Sequence, residues 1–215
     1  VRPNAQRFIV ETESGKMIET DYVLDATGRK PNVEQIGLEK VGIQFSDRGI
    51  EVDDYLRTNV KNIYASGDVI DKMIPKLTPT ATFESNYIAA HILGLNTEAI
   101  QYPPIPSVLY SLPRLSQIGV TVSEAKKDDT YIIKDIPFGR QMVFEYQNET
   151  EAEMSIVLDS QKRLVGAEIY GNDAGDLVNL LVFIINQKLT AHDLNQNIFA
   201  FPGASSGVID LLKLA

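Results

Sequence analysis

Cysteine is absent from the 215-residue chain, and histidine occurs only twice. Without cysteine, this segment can form no disulfide, no thiolate metal site and no cysteine nucleophile or redox pair. The two histidines, His91 and His192, stand far apart, outside the HExxH and HxxxH spacings of metal-binding helices. We therefore expect ordinary surface or helix-cap histidines and no metal site.

Positive charge and long apolar runs are also scarce. Lys and Arg number 20 against 29 Asp and Glu, which gives a net charge of −9, and no basic stripe compensates for it locally. A nucleic-acid partner is therefore not expected. The longest apolar stretch, residues 177–185, is far shorter than the roughly 20 residues of a membrane-spanning helix, and we expect no signal peptide. These patterns favour a cytoplasmic protein with no membrane contact.

The first 30 residues predict a β-hairpin, from residues 8–12 and 17–20, and then a third, more buried strand at residues 21–26. Three strands without a helix cannot cover an apolar face on both sides. We therefore expect these residues to be the end of a larger domain, and the chain to be a fragment of a longer enzyme.

A strand, a loop and a helix follow near the middle of the chain. After a short strand at residues 50–52, residues 62–68 predict a buried strand that ends on Gly-Asp. The helix extends from about Thr80 to Leu93 and is opened by Thr78-Pro79. We place Pro79 at the first helical position, where its missing N–H costs nothing.

The proline-rich residues 102–106 indicate a domain boundary, because beyond them the pattern becomes largely antiparallel. The predicted strands of this second half span residues 115–120, 131–138, 141–147, 153–159 and 164–170. The predicted helices extend from an Asn172 or Asp173 cap to about Lys188, from a Thr190 cap through His192, Asp193 and Leu194, and from about Ser206 to Leu214.

The first of these helices has a wide apolar face. This face could be buried in a homodimer interface or against the antiparallel sheet of the same chain. The face consists of Leu177, Leu180, Leu181, Ile184 and Ile185, flanked by Val178, Val182 and Phe183.

Two short motifs carry the chemistry that the sequence indicates. The first, ATGRKPN at residues 26–32, follows a predicted strand, and the second is NIYASGD at residues 62–68. A carboxylate at the carboxyl end of a strand lies where α/β sheets place ligands, so Asp68 can accept hydrogen bonds from sugar-type hydroxyls, while Gly67 lets a ligand approach the backbone. The alternative for Asp68 alone is a turn aspartate that caps a loop.

The helix that Thr78 opens would point free N–H groups and the positive end of its dipole at a ligand beside Asp68. Complete phosphate-binding loops, GxGxxG or GxxxxGK[ST], are absent from the sequence. Independent cofactor binding by this chain is therefore not expected.

Together these segments resemble the flavoprotein pyridine nucleotide-disulfide oxidoreductases, the family of glutathione reductase, dihydrolipoamide dehydrogenase and mercuric reductase. ATGRKPN is similar to the family's A-T-G-R-x-P-N signature, NIYASGDV to its second flavin motif, and LTPTATFESNYIAAHILG to the helix that follows. Beyond the linker, residues 104–125 and 164–176 resemble the opening and the strand-to-helix segment of the family's dimerisation domain. The resemblance covers essentially the whole chain.

The resemblance implies a role for three residues. Asp68 would bond the ribityl or phosphate portion of FAD, Thr78 would meet the flavin ring through its backbone, and Gly28 would approach the nicotinamide nucleotide. The helix from Thr78 would stabilise reduced, anionic flavin. We leave Arg29 and Lys30 out of the site, as ordinary surface cations.

One stretch departs from the family pattern. Where the family completes its active site across the dimer with His-Pro and, after three more residues, a glutamate, this chain has Phe201-Pro202 and Ser206. Phenylalanine cannot exchange a proton with a thiol, and serine cannot orient an imidazole as the glutamate does. We therefore expect no thiol-disulfide chemistry of the usual sort and assign no catalytic residue. Phe201 is expected to pack in a dimer interface or against the flavin pocket, and a cis peptide before Pro202 is plausible.

The predicted fold class is α/β plus α+β. Residues 1–30 would be a remnant of an NAD(P)-binding domain, residues 31–101 the second FAD-domain segment, and residues 102–215 an α+β dimerisation domain with an antiparallel sheet. The resemblance implies the carboxyl-terminal part of an FAD-dependent oxidoreductase that passes hydride from NAD(P)H to FAD and on to an unknown small-molecule acceptor.

Alone, the chain is expected to form a homodimer through residues 102–215, to bind no flavin and to be inactive. The alternatives are a non-catalytic dimerisation or interaction module with a vestigial flavin motif, and an unrelated α/β domain in which the motifs are accidental.

Overall fold

A five-stranded antiparallel sheet and the helices that pack on it form the larger part of the structure, a computed structural model that describes residues 1–4 and 7–213. The chain divides into two compact units, Val1–Lys72 and Met73–Ala215. The mixed α/β architecture with antiparallel sheets confirms the predicted fold class. The predicted domain limits near residues 30 and 101 stay a prediction.

The first unit is built on two small antiparallel sheets. Its strands are β1 (Arg2–Asn4), β2 (Arg7–Glu11), β3 (Met17–Thr20), β4 (Phe45–Ser46) and β5 (Gly49–Ile50). The first three pair in the order β1-β2-β3, and β4 pairs with β5. The β2–β3 hairpin confirms the predicted one. A small apolar core around Val33, Ile43 and Ile50 lies beside the second sheet.

Two strands predicted in this unit are wrong. Residues 21–26 pair with no strand of the described chain and are exposed, with Leu24 at 91%. A strand in the middle of a sheet needs hydrogen-bonding neighbours on both sides, and here β3 is paired with β2 alone. Residues 62–68 form a single bridge, between Tyr64 and Arg57, and then enter a short 3₁₀ helix at Gly67–Val69.

The second unit begins with the helix α1 (Thr78–Ile92), which starts two residues earlier than predicted. Leu77 is the N-cap, so Pro79 occupies the second helical position, a correction to the expected first one. Both positions precede the hydrogen-bonded helix interior, so a missing N–H is tolerated at either.

The remaining elements build the sheet and its cover. The strands are β6 (Ser107–Leu109), β7 (Arg114–Gly119), β8 (Ile132–Ile136), β9 (Glu153–Leu158) and β10 (Leu164–Gly171), in the order β6-β7-β10-β9-β8. The helices are α2 (Val122–Ala125), α3 (Met142–Tyr146), α4 (Ala174–Asn186), α5 (Ala191–Asn195) and α6 (Ala204–Leu212). These elements confirm four of the five strands and all three helices predicted here. The predicted end of the last helix, Leu214, lies outside the described residues.

The fifth predicted strand, residues 141–147, is wrong because the segment forms α3. Its apolar and polar residues alternate as in a strand, but only Phe144 is buried, and its ring packs edge-on against Phe138 at a centroid distance of 4.6 Å. A short segment with a single buried side chain, here Phe144, can form one helical turn as readily as a strand.

The apolar face of α4 is covered within the chain. Leu177, Val178, Leu181, Ile184 and Ile185 are all buried in the core between this helix and the sheet. The sequence allowed this face to be buried either in a homodimer or against the sheet of the same chain. In the structure the sheet of the same chain covers it. Phe183, on the opposite side of α4, stays exposed. None of the helices in the described ranges has the length and apolarity needed to cross a bilayer.

Candidate functional site

The ATGRKPN motif lies on the surface of the first unit. The Asp25 carboxylate accepts hydrogen bonds from the hydroxyl and the N–H of Thr27, at 2.6 and 3.0 Å, and these bonds lower the pKa of Asp25. Gly28 follows with a φ of +135°, a conformation that favours glycine. Nothing lies within 4 Å of where its side chain would begin, so the backbone angle and not crowding calls for glycine there.

Asp68 of the second motif meets Arg29 of the first. Arg29 Nη1 lies 3.4 Å from Asp68 Oδ2, across 39 residues of sequence. Both side chains are accessible, that of Asp68 at 50%. The carboxylate therefore keeps room for a further hydrogen-bonding partner, and the ion pair itself adds little stability. Arg29, which sequence reasoning left out of the site, is the residue that joins the two motifs.

The loop that carries Asp68 is attached to strand β5. Ile70 forms a parallel bridge with Ile50, and the Asp71 N–H donates to the Ile50 carbonyl at 2.9 Å. A side chain at Gly49, whose φ is +130°, would overlap the carbonyl oxygen of Val69. Gly49 therefore lets the loop lie directly against the strand, and sequence reasoning missed it because this close approach is not local in the chain.

Thr78 is the first residue of α1, in the second unit. Its N-cap, Leu77, provides no side-chain hydrogen bond, and Pro79 has no N–H, so the first turn presents the N–H groups of Thr78 and Thr80. A cavity of about 550 Å³ borders this helix start. Among the side chains that line it are Tyr110, Arg114 and Asp176.

The electrostatics of this cavity are mixed. Arg114 Nη1 donates to the carbonyl oxygen of Asn172, and the Asn172 N–H donates to Glu149 Oε2 at 2.9 Å. Next to them, burial raises the pKa of Asp173, with a further contribution from the charges of Glu149 and Asp176. An ionised carboxylate is therefore less favoured at Asp173 than in water.

Phe201 and Ser206, at the positions where the sequence departs from the family pattern, lie in different environments. The Phe201–Pro202 peptide is cis, and the Phe201 side chain is 68% exposed. Ser206 is 3% exposed, and its hydroxyl donates to the Gly203 carbonyl at 2.8 Å. Neither side chain titrates in the accessible pH range, so this pair can position groups and fill space but cannot move a proton as an imidazole does.

The sequence-predicted site residues therefore fall into two sets. Gly28 and Asp68 lie in the first unit, where Arg29 links their motifs, and Thr78 lies in the second unit beside its own cavity. Their roles toward a cofactor stay predictions. In the described ranges, no group of three or more His, Asp or Glu side chains is arranged to hold a metal ion.

Comparison with known families gives two matches that together span most of the chain. Residues 1–85 match the pyridine nucleotide-disulphide oxidoreductase family, and residues 105–211 match the dimerisation domain of pyridine nucleotide-disulphide oxidoreductases. The junction between them, at residues 86–104, includes most of the proline-rich stretch.

Curated relatives include enzymes and one short protein. The chain is 39% identical to dihydrolipoyl dehydrogenase of Bacillus subtilis over 93% of its own length, and 35% identical to that of Geobacillus stearothermophilus, but it spans only 43% of either enzyme. It is also 31% identical to an uncharacterised 19.7 kDa protein in a mercuric resistance operon of Staphylococcus aureus, over 82% of this chain and 100% of that protein.

Solved structures share the fold. LpdA from Mycobacterium tuberculosis superposes with a TM-score of 0.87 at 21% identity, over 98% of this chain and 46% of that one. The HOCl-induced flavoprotein disulfide reductase RclA from Escherichia coli gives a TM-score of 0.86 at 22% identity, over 98% of this chain and 48% of that one. The chain thus spans about half the length of the proteins with which it shares this fold.

Proposed function

Because the chain belongs to the pyridine nucleotide-disulphide oxidoreductase family, we propose that it is the carboxyl-terminal part of an FAD-dependent NAD(P)H oxidoreductase. The observation that carries this proposal is the contact between Arg29 and Asp68, which joins the two cofactor-type motifs at one place on the first unit.

Each unit, taken by itself, offers groups that would suit FAD. Asp68 would accept hydrogen bonds from hydroxyls of FAD, and Arg29 would hold its carboxylate in place. The N–H groups at the start of α1 would favour an oxygen that carries negative charge, and Thr78 would provide the backbone contact. Gly28 would lie near the nicotinamide nucleotide. FAD, when bound, supplies the hydride-accepting chemistry.

The chain does not provide a phosphate-binding loop for FAD. The sequence contains no glycine-rich phosphate loop, and the hydroxyl-accepting carboxylate of Asp68 is half exposed. We therefore expect the chain alone to bind no FAD and to be inactive, while the longer polypeptide would bind it.

The electron acceptor of the longer polypeptide would not be a disulfide of the usual kind. Phe201 is exposed and apolar, and the Ser206 hydroxyl is already bonded to Gly203, so neither can take the proton of a thiol. Hydride transfer from NAD(P)H to FAD needs no such group, so transfer of electrons from FAD to another small-molecule acceptor would remain available to the longer polypeptide. A cytoplasmic location stays a prediction.

Dimerisation through residues 102–215 is the remaining part of the proposal. The β6–β7 hairpin exposes Leu109, Tyr110 and Leu112, and α4 exposes Phe183. Exposed large apolar side chains in a domain of this family support contact with a second copy.

A non-catalytic dimerisation or interaction module is the second candidate function. The uncharacterised 19.7 kDa relative favours it, because 82% of this chain matches that protein over its whole length. In a module of this kind the flavin motif would be vestigial.

One comparison separates the two. If the oxidoreductase proposal holds, the purified longer polypeptide should be yellow and should bleach with NADH or NADPH. Its Asp68→Ala variant should lose the flavin. The control variant Asp47→Ala, which changes an exposed turn residue, should keep it. A colourless polypeptide that ignores added FAD would support the module. Tight, stoichiometric FAD binding by the chain alone would contradict our account of the missing phosphate loop.

A further inference from the structure

Residues 22–26 of the first unit form an apolar segment that has no hydrogen-bonding neighbour. The side chains of Tyr22 and Leu24 are 89% and 91% exposed, and that of Val23 between them is 39% exposed. Among the residues that the structure describes, none accepts a hydrogen bond from a backbone N–H of this segment. Tyrosine, valine and leucine suit a strand, so the segment has the composition of a strand without the bonds of one.

Side-chain contacts at both ends hold this segment in place. Asp21 Oδ1 accepts a 2.7 Å hydrogen bond from Arg7 Nε, which ties the start of the segment to β2. At the other end, the carboxylate of Asp25 accepts from Thr27, as described above. The segment then leads into Arg29, which joins the two motifs of the candidate site. A strand that paired with residues 22–26 would therefore lie close in sequence to that contact.

The β1-β2-β3 sheet next to this segment has an apolar face that is not buried. Val10 pairs with Ile18 and Phe8 pairs with Thr20, so these four side chains share one face. No residue of β2 or β3 is buried, and Phe8 and Ile18 are 37% and 41% exposed. Within residues 1–4 and 7–213, the outer edge of β3 is also unpaired. A sheet of three strands is normally stable when a helix or a second sheet packs on it.

We propose that residues 22–26 and the face of Phe8, Val10 and Ile18 form a docking surface for a strand–loop–helix nucleotide-binding unit of another part of a family member. The strand of that unit would pair with residues 22–26, and its helix would cover the apolar face. The glycine-rich loop between them would supply the phosphate-binding groups that this chain lacks. The inference rests on the oxidoreductase proposal and specifies how its cofactor site is completed.

The relatives favour this occupant over a second copy of the chain. The match covers only 43% of the dihydrolipoyl dehydrogenases of Bacillus subtilis and Geobacillus stearothermophilus, so each has further residues that could supply the unit. A second copy would repeat a sequence without a phosphate loop and would not complete the site. The 19.7 kDa relative is matched over its whole length. Docking between two separate polypeptides is therefore part of the proposal.

The test uses the full chain and, as the docking probe, the part of the Bacillus subtilis dihydrolipoyl dehydrogenase that lies outside the match. The two are co-expressed, and amide hydrogen exchange is measured for the chain alone and for the chain with the probe. The amides of residues 22–26 should exchange almost without protection in the chain alone, and at least about a hundredfold more slowly with the probe.

Leu24→Asp tests the apolar part of the docking surface. This variant should weaken association with the probe at least about tenfold, the effect of losing one buried leucine. It should leave the unfolding midpoint of the chain unchanged, because the side chain is exposed. Leu95→Asp, which replaces a leucine that is 78% exposed in the second unit, is the matched control and should associate like the unmodified chain.

Three results would overturn the proposal: equal exchange of residues 22–26 with and without the probe, equal association of the two variants, and protection in the chain alone that grows with its concentration. If the probe does not fold by itself, the same amides are followed in a single polypeptide in which the probe precedes Val1. Flavin absorbance is recorded separately. Protection without bound flavin would support the docking surface and count against the oxidoreductase proposal, whereas bound flavin with unprotected amides would overturn the docking surface alone.

Discussion

The hydroxyl of Tyr102 donates a 2.7 Å hydrogen bond to Oε1 of Glu84, which is completely buried in α1. Burial, and then the bond to Glu84 and its charge, raises the pKa of Tyr102 well above the usual value for tyrosine. The bond ties the start of the proline-rich stretch to α1, and its partners are 18 residues apart in the chain.

We expect Tyr102→Phe to destabilise the chain by about 1–3 kcal/mol, because it removes a donor from a buried carboxylate without creating a large cavity. Chemical denaturation followed by circular dichroism measures the change. Tyr146→Phe is the matched control, since that side chain is 80% exposed, and it should leave the midpoint unchanged. Equal effects of the two variants would show that the bond to Glu84 is not a stabilising one.

Asp159 closes the turn between β9 and β10. Burial raises the pKa of Asp159, but hydrogen bonds from the Arg163 backbone and side chain and from the Gln161 N–H outweigh it, so that the pKa is lowered overall. A lowered pKa in the folded state stabilises the fold above the unfolded pKa of about 4, and that stabilisation is lost as the pH falls through the folded value.

Asp159→Asn should therefore cost about 1 kcal/mol at pH 7, and the difference from the unmodified chain should shrink as the pH is lowered below about 4. Urea denaturation at a series of pH values measures this. A difference that stays constant from pH 7 to pH 3 would contradict the assignment of the charge as the stabilising feature.

Replacement by alanine should change the stability of the chain in opposite directions at two of its glycines, Gly166 and Gly175. A side chain at Gly166 in β10 would overlap the carbonyl oxygen of Val120, whereas the nearest atom to one at Gly175, inside α4, would be Val108 Cγ1 at an ordinary 3.8 Å. Gly166→Ala should cost about 3 kcal/mol through backbone displacement, and Gly175→Ala should stabilise by about 0.4–1 kcal/mol. Thermal melts of the two variants would show whether the signs differ.

Much of the second unit could be predicted because its signals are local. The predicted cap at Thr190 is confirmed, since Thr190 forms a reciprocal capping box with Asp193. The apolar spacing of α4 likewise predicts the face of the helix that is buried. The β9–β10 hairpin follows from two apolar runs around a polar turn. Each of these depends on residues within about a dozen positions.

The predictions that were wrong, and the contacts that were missed, depend on residues far apart in the sequence. Residues 21–26 can form a strand only if another strand lies beside them. Their apolar composition does not show whether such a neighbour exists. The contact of Arg29 with Asp68 and the close approach of Gly49 to Val69 likewise join distant positions. A single sequence carries the motifs of the candidate site but not the pairings that assemble it.

The last prediction concerns the exposed hairpin between β6 and β7. Leu112 is 88% exposed in the single chain, so a charged residue there should not disturb the fold. If the hairpin lies in the homodimer, Leu112→Glu would bury a carboxylate at the interface and should raise the dimer dissociation constant at least tenfold, roughly the effect of losing one buried leucine.

Leu95, which is 78% exposed just beyond the end of α1, provides the matched control, and Leu95→Glu should leave the dimer intact. Light scattering across a concentration series measures both variants, and circular dichroism confirms that each is folded. If Leu112→Glu stays dimeric at concentrations where the unmodified chain is dimeric, the hairpin lies outside the interface, and the exposed Phe183 of α4 becomes the surface to substitute next.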